Sequence, residues 1–262
     1  MRIQDFAKRK RAGVPITMVT CYDAWSAALI AETDIDCVLV GDSVAMVVHG
    51  HDTTIPADLE MMTTHTAAVR RGAPDAFVIG DMPFLSYRRG LAASVDAAGA
   101  LMRSGANAVK LEGAAGNLEL IRHLVESGVP VMGHLGLTPQ SVHQLGGFRV
   151  QAKNDRAAER LIEQAVELEQ AGCFAIVLEA IPAAVAERAT ARMTIPTIGI
   201  GAGRHVDGQV LVLQDLLGVS TSYRPKFVRT WMDGSKMITT ALQSYHRDVT
   251  EGRFPNGGES YE

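Results

Sequence analysis

Cysteine is scarce in this chain: three in 262 residues, at Cys21, Cys37 and Cys173. They are too few and too scattered for a disulfide framework or a zinc cluster. Cys37 and Cys173 fall in or beside apolar runs, so buried free thiols are expected. Long apolar runs are missing too. No stretch reaches the roughly 18 uninterrupted apolar residues of a membrane span, and the opening Met1–Ala12 is too polar for a signal peptide. A cytosolic protein is therefore expected, with no membrane partner. Neither sign of charge dominates, with 25 Lys and Arg against 29 Asp and Glu and a net charge of −4. The densest basic run, Lys8-Arg9-Lys10-Arg11, lies on an expected N-terminal helix (about 1–12) and reads as a solvated face rather than a nucleic-acid patch. No low-complexity segment, sequence repeat or domain-splitting linker interrupts the chain.

What is present is a globular composition, 47% hydrophobic and 21% charged. The length suits one α/β barrel of roughly 250 residues, able to bury a large core without staples. Short apolar runs recur after Gly, Pro or Asp: Ile16–Cys21, Cys37–Val40, Ala76–Ile79, Ala108–Leu111, Val129–Met132, Ala175–Leu178, Thr197–Ile200 and Val210–Leu213. They lack polar alternation, so they read as strands buried on both faces, as in a parallel sheet. Helical patterns fill the gaps. In Ala157–Ala171, Leu161, Ala165 and Leu168 share one face and Gly172 follows as a stop. Ser94–Arg103 and Leu118–Glu126 end the same way, on Ser-Gly. Helix, glycine, then apolar strand is half of a βαβ unit. Eight such strands in about 200 residues favour a single-domain (β/α)8 TIM barrel over residues 1–262, with an open doubly wound sheet as the alternative. A loose tail is expected at about 251–262.

The polar residues that end these strands are the informative feature. Asp23 follows strand 1, Asp42-Ser43 strand 2, Asp81 strand 3 and Glu112 strand 4 (two residues after Lys110); His134 follows strand 5 and Glu179 strand 6. In a parallel barrel these ends converge on one face, where active sites are built. A single acid there can be a helix N-cap, and Asp23 or Asp42 could be only that. Asp42, Asp81, Glu112 and Glu179 in series are harder to explain so. Like charges 4 Å apart repel by roughly 4 kcal/mol at an effective dielectric of 20, and a cation would relieve them. Oxygen donors without cysteine favour Mg²⁺, or Mn²⁺, over Zn²⁺. Such an ion polarises the carbonyl of a 2-oxo acid and stabilises its enolate. Lys110 lies on the same strand face as Glu112 and could pair with the substrate carboxylate or the enolate. A Schiff-base role is the alternative, disfavoured because nearby acids hold the amine protonated.

Other features have plainer readings. Gly199-Ile200-Gly201-Ala202-Gly203 suits a phosphate loop or close backbone packing equally. Thr138-Pro139 suits an N-cap with Pro at the first helical position. His49, His51, His65 and His143 read as surface or capping residues.

A family likeness emerges from several motifs together. Val40-Gly41-Asp42-Ser43, Gly50-His51-Asp52-Thr53-Thr54, Gly80-Asp81-Met82-Pro83-Phe84 and Val109-Lys110-Leu111-Glu112-Gly113 resemble ketopantoate hydroxymethyltransferases. So do Gly133–Ser141, Leu178-Glu179-Ala180-Ile181-Pro182 and Ile198–Gly203, in the same order from Ile16 to about Pro255. The resemblance implies transfer of a hydroxymethyl group from 5,10-methylenetetrahydrofolate to 3-methyl-2-oxobutanoate, giving ketopantoate for pantothenate synthesis. It implies Asp42 and Asp81 as Mg²⁺ ligands, with Glu112 a third that acts through a water. It also implies Ser43 and Lys110 as oxo-acid contacts, Glu179 as proton acceptor, His134 lining the site, and a homo-oligomer of ten subunits in two rings of five. The loop Gly147–Ala152 departs from the pattern: lysine is expected at Arg149 and glycine at Ala152, which puts the local loop shape in doubt.

Two other readings use the same residues. The phosphoenolpyruvate mutase and isocitrate lyase group also binds an oxo-acid enolate on Mg²⁺, but needs a reactive cysteine or arginine loop not evident here. A non-catalytic barrel scaffold would be marked by loss of a strand-end acid, and all are present.

Overall fold

The computed structural model describes residues 1–220 and 225–261. Within it, eight parallel strands close into one barrel in the order β1 to β8. They are β1 (Ile16–Thr20), β2 (Cys37–Val40), β3 (Phe77–Asp81), β4 (Ala108–Glu112), β5 (Val131–Gly136), β6 (Ala175–Glu179), β7 (Thr197–Ile200) and β8 (Gly208–Leu211). Each matches an expected strand to within a few residues, the largest difference being at β5, which runs on through His134 to Gly136. The barrel closes as β1 pairs with β8, Ile16 opposite Gly208. This is the (β/α)8 TIM barrel expected, and an open sheet is ruled out.

The helices are α1 (Ile3–Ala12), α2 (Ala24–Ala31), α3 (Val44–Val47), α4 (Leu59–Gly72), α5 (Leu91–Arg103), α6 (Leu118–Glu126), α7 (Val142–Leu145), α8 (Asp155–Gln170), α9 (Ala183–Arg192), α10 (Leu213–Leu216) and α11 (Gly234–Thr250). Their ends follow local chemistry. The Asn154 side chain accepts from Ala157 N at 2.9 Å to start α8, and Asp58 accepts from Met61 N at 2.8 Å to start α4, each satisfying an orphan donor. Ala158, Leu161, Ile162, Ala165 and Leu168 form the buried stripe of α8 at helical spacing. Burying a leucine such as Leu168 contributes roughly 1.5–3 kcal/mol.

Side chains alternate in and out of a strand, so every second residue enters the barrel. Ile16 and Met18, Cys37 and Leu39, Phe77 and Ile79, Ala108, Met132, Ala175 and Val177 form that interior core. The N-terminal end of the barrel is plugged by Phe6 of α1, fully buried, whose ring lies 5.2 Å from Phe77 and 4.8 Å from Phe174. The basic run on α1 is not simply solvated: Arg9 pairs with Asp36, and Lys10 sits 2.9 Å from Asp207. Two of these charges therefore dock the plug to the barrel rim. Cys37 and Cys173 are buried and free, as expected, and so is Cys21.

The chain sorts into two compact units, Met1–Val212, which contains the eight barrel strands, and Leu213–Glu262. In the second, α11 leaves Met237, Ile238, Leu242 and Tyr245 exposed. Residues 251–261 are exposed, and Arg253 turns back to Asp248 at 2.7 Å. Of the expected tail, residue 262 lies outside the described residues. No helix among the described residues is long and apolar enough to cross a membrane.

Candidate active site

The inward positions at the C-terminal ends of β3 to β6 carry ionisable side chains instead of hydrocarbon. Strand register brings them together. Asp81 of β3 lies opposite Lys110 of β4, and Glu112, two residues on, lies opposite His134 of β5. Asp42 follows β2, and its backbone N–H donates to Asp81 Oδ2 at 3.0 Å. Asp42, Asp81, Lys110, Glu112 and His134 are each at most 5% exposed. Glu179, at the end of β6, approaches His134 Nε2 at 3.2 Å through Oε2. Ser43 stands at the entry to α3, its hydroxyl 2.8 Å from Tyr22 Oη.

The structure thus gathers the strand-end residues singled out from the sequence at one mouth. Asp23 is the exception. Its carboxylate accepts from Ser26 N at 2.8 Å and Ser26 Oγ at 2.9 Å, so it is the N-cap of α2. Lys110 shares a strand face with Glu112, yet its nearest charge is Asp81, with Nζ 2.9 Å from Oδ1. Asp81 and Lys110 are register partners on adjacent strands, whereas Lys110 and Glu112 are separated along one strand.

Lys110 Nζ also lies 3.2 Å from His134 Nδ1. An ammonium only donates, so Nδ1 is the acceptor, and the proton of neutral His134 sits on Nε2, the nitrogen facing Glu179. Burial and the Lys110 charge hold the His134 pKa well below 6.5, which keeps the ring neutral. Burial alone would lower the Lys110 pKa, but Asp81, Glu112 and Asp42 outweigh it and raise it, so the amine stays charged. Burial, reinforced by Asp81, pushes Asp42 up to about 7. Burial and Asp42 raise Glu112 well above the usual carboxylate range. Glu179 rises to about 7, through burial and against the pull of Lys110. The mouth therefore carries more buried carboxylate than Lys110 can balance, and without another cation some of it must hold protons.

This imbalance is the test of whether a divalent cation fits. No three His, Cys, Asp or Glu side chains among the described residues are gathered as a ready-made cage. Mg²⁺ does not need one, because it commonly takes one or two carboxylates and fills its remaining positions with substrate and water. Asp81 Oδ1 and Glu112 Oε1 are buried with no aligned hydrogen-bond partner, although the first lies close to Lys110. Hard oxygen donors, surplus negative charge and orphaned carboxylate oxygens suit that ion.

Two further residues belong to the mouth and were not singled out from the sequence. Gln140 Nε2 donates to Asp42 Oδ2 at 2.8 Å, and the Tyr87 hydroxyl donates to Gln140 Oε1 at 2.6 Å. Gln140 lies within a quoted family motif, which was its available signal. Tyr87 lies in a loop between β3 and α5, where spacing carries no information. Pro139 opens a short 3₁₀ turn, but the Thr138 side chain makes no capping bond. Gly203, at φ +82°, would bring a Cβ within 2.5 Å of Ala183 Cβ, so in its glycine-rich segment close packing explains that residue. His49, His51 and His143 are exposed, and His49 Nε2 meets half-buried His65 Nε2 at 3.0 Å.

A closed barrel whose C-terminal mouth holds buried acids, a charged lysine and a neutral histidine defines an acid–base enzyme of the (β/α)8 class. The chain belongs to the ketopantoate hydroxymethyltransferase family, which it matches over residues 1–257. It is 56% identical over 259 residues to the 3-methyl-2-oxobutanoate hydroxymethyltransferase of Bdellovibrio bacteriovorus, covering 99% of this chain and 98% of that one. It is 52% identical over 257 residues to the enzyme of that name from Coxiella burnetii, covering 98% and 97%. Among solved structures it shares its fold with a 2,3-dimethylmalate lyase of the PEP mutase/isocitrate lyase superfamily, at TM-score 0.63, 15% identity and coverage of 94% and 88%. It also shares it with a phosphonopyruvate hydrolase solved with oxalate and Mg²⁺, at TM-score 0.64, 10% identity and coverage of 99% and 93%.

Proposed function

We propose that this enzyme transfers a hydroxymethyl group from 5,10-methylenetetrahydrofolate to 3-methyl-2-oxobutanoate, with Mg²⁺ as its metal. The observation that supports this site best is the surplus of buried carboxylate around Asp42 and Asp81, set beside a base that titrates near neutrality. Asp42 and Asp81 would hold the ion, with Glu112 joining through a water. When bound, Mg²⁺ supplies Lewis-acid polarisation of the 2-oxo group, which acidifies the hydrogen on C3.

The rest is done by side chains. Lys110, kept charged by its acids, offers an ammonium to the carboxylate or enolate oxygen of the oxo acid, and Ser43 offers a hydroxyl whose direction Tyr22 sets. Glu179, with a pKa near 7, is matched to taking a proton from C3 and returning it. Neutral His134 keeps Nε2 3.2 Å from Glu179 Oε2 with no aligned hydrogen bond between them. Water takes the one-carbon unit from the folate by breaking its two C–N bonds, which gives formaldehyde and tetrahydrofolate; the C3 electron pair then bonds the formaldehyde carbon, and the proton held by Glu179 goes to the resulting alkoxide oxygen. The family likeness further supports an assembly of ten subunits working in the cytosol.

The direct test incubates the full chain with 3-methyl-2-oxobutanoate and methylenetetrahydrofolate, with and without a chelator, and identifies the product. Ketopantoate formed only when a divalent ion is available is the expected result. A lyase of the PEP mutase/isocitrate lyase type would instead act without folate, and full activity after exhaustive chelation would remove the metal from the reading.

A further inference from the structure

Gln140 is 5% exposed, and its polar atoms are committed. Nε2 donates to Asp42 Oδ2 at 2.8 Å and to Met82 O at 3.0 Å. Oε1 accepts from the Tyr87 hydroxyl at 2.6 Å. The Gln140 backbone N–H donates to Glu112 Oε2 at 3.1 Å. A side-chain amide can present either end, and its partners decide which. Reversed, this one would aim its oxygen at a carboxylate and a carbonyl. Tyr87 is 8% exposed and retains its O–H, since burial pushes its ionisation far above the usual range. The phenol therefore fixes the amide, and the amide fixes the carboxylate.

We infer that Gln140 is a positioning residue for the cation, fixing one oxygen of Asp42 with its side chain and one of Glu112 with its backbone, while Tyr87 sets which end of the amide faces Asp42. This rests on reading the mouth as a Mg²⁺ site. Asp42 and Glu112 come from different strands, and Gln140 is a single rigid reference for both. Glu112 Oε1 is left with no aligned hydrogen-bond partner, the state expected of an oxygen held for something else. Without the amide, Asp42 loses its donor while Asp81 still repels it, so its carboxylate must turn away or keep a proton. Either outcome weakens a site that depends on a fixed pair of oxygens. Loss of such a supporting partner typically costs 10–100-fold in metal affinity.

The test uses Mn²⁺ as the probe, titrated into the full chain and followed by the loss of its free-ion electron paramagnetic resonance signal. Wild type, Gln140→Leu, Tyr87→Phe and the double variant are compared, with thermal melts on the same samples. Gln140→Leu should weaken Mn²⁺ binding by about tenfold or more. Tyr87→Phe should weaken it less, and the double variant should match Gln140→Leu, because Tyr87 acts only through the amide. The bound-ion spectrum should change in each variant, which a purely structural role would not cause. If Gln140→Leu does not fold, Tyr87→Phe decides by the same readouts. Wild-type affinity and spectrum in the folded variants would overturn the positioning role alone. A wild type that binds no Mn²⁺ would overturn the metal reading and this inference with it.

Discussion

The ammonium of Lys110 lies 2.9 Å from Asp81 Oδ1, with both side chains at most 5% exposed. This pair begins a line of polar contacts, Asp81 to Lys110 to His134 to Glu179, that crosses the mouth from β3 to β6. A lysine so held is a poor imine former, since the nucleophile is the free amine. Borohydride added with the oxo acid should therefore neither inactivate the enzyme nor add mass to it. A reduced adduct on Lys110, found by peptide mass spectrometry, would replace the proposed chemistry with an imine route.

Asp42 and Asp81 should respond oppositely to neutralisation in the metal-free protein. Burial and the Asp81 charge raise the Asp42 pKa from an ordinary 3.8 to about 7. The folded chain then binds more protons than the unfolded one between these values, so stability present below about pH 4 is lost as pH rises through about 7. Asp42→Asn keeps an acceptor for Gln140 and removes that loss. It should stabilise the protein at pH 8 by on the order of 1–3 kcal/mol and change little at pH 4. Asp81→Ala removes the partner of a buried ammonium and should cost about 3–5 kcal/mol. Urea unfolding in chelator at both pH values checks each sign.

Glu179→Gln keeps size and removes the base. Exchange of deuterium at C3 of the oxo acid and full turnover should fall together, by roughly 10²–10⁴-fold. In the metal-loaded wild type, exchange should rise with pH along a limb set by Glu179, which lies at about 7 in the metal-free protein and which a bound cation should move lower. If exchange survives in Glu179→Gln while turnover falls, the residue acts at the one-carbon unit instead.

Ala152 occupies φ +54°, at the position where the family resemblance leads one to expect glycine. Its neighbour Gln151 donates its backbone N–H to Ala180 O at 2.8 Å, one residue from Glu179. Left-handed backbone costs a non-glycine residue roughly 1–2 kcal/mol, partly offset by the extra chain entropy of glycine when unfolded. Ala152→Gly should thus raise stability by up to about 1 kcal/mol, read as a higher melting temperature with no loss of activity.

Much of this was legible along the chain. Apolar runs without alternation marked strands buried on both faces, and glycine after three of the helical stretches marked where a helix gave way to the next strand. Both are local signals, set by the period of the backbone and by which residues tolerate a left-handed turn. The acids at strand ends were visible for the same reason, because a charge at the end of an apolar run has no local explanation beyond capping. Asp23 proved to be a cap and Asp42 did not, and only the fold could separate them: the next residues of α2 offer Asp23 a donor, whereas the partner of Asp42 lies 98 positions away at Gln140. Barrel closure, the Asp81–Lys110 register, the His134 tautomer and the Tyr87–Gln140–Asp42 chain are all relations between strands or loops distant in sequence. The hydrophobic period says that a face is buried but not what it meets, so contacts and the pKa values that depend on burial were decided by the tertiary structure alone.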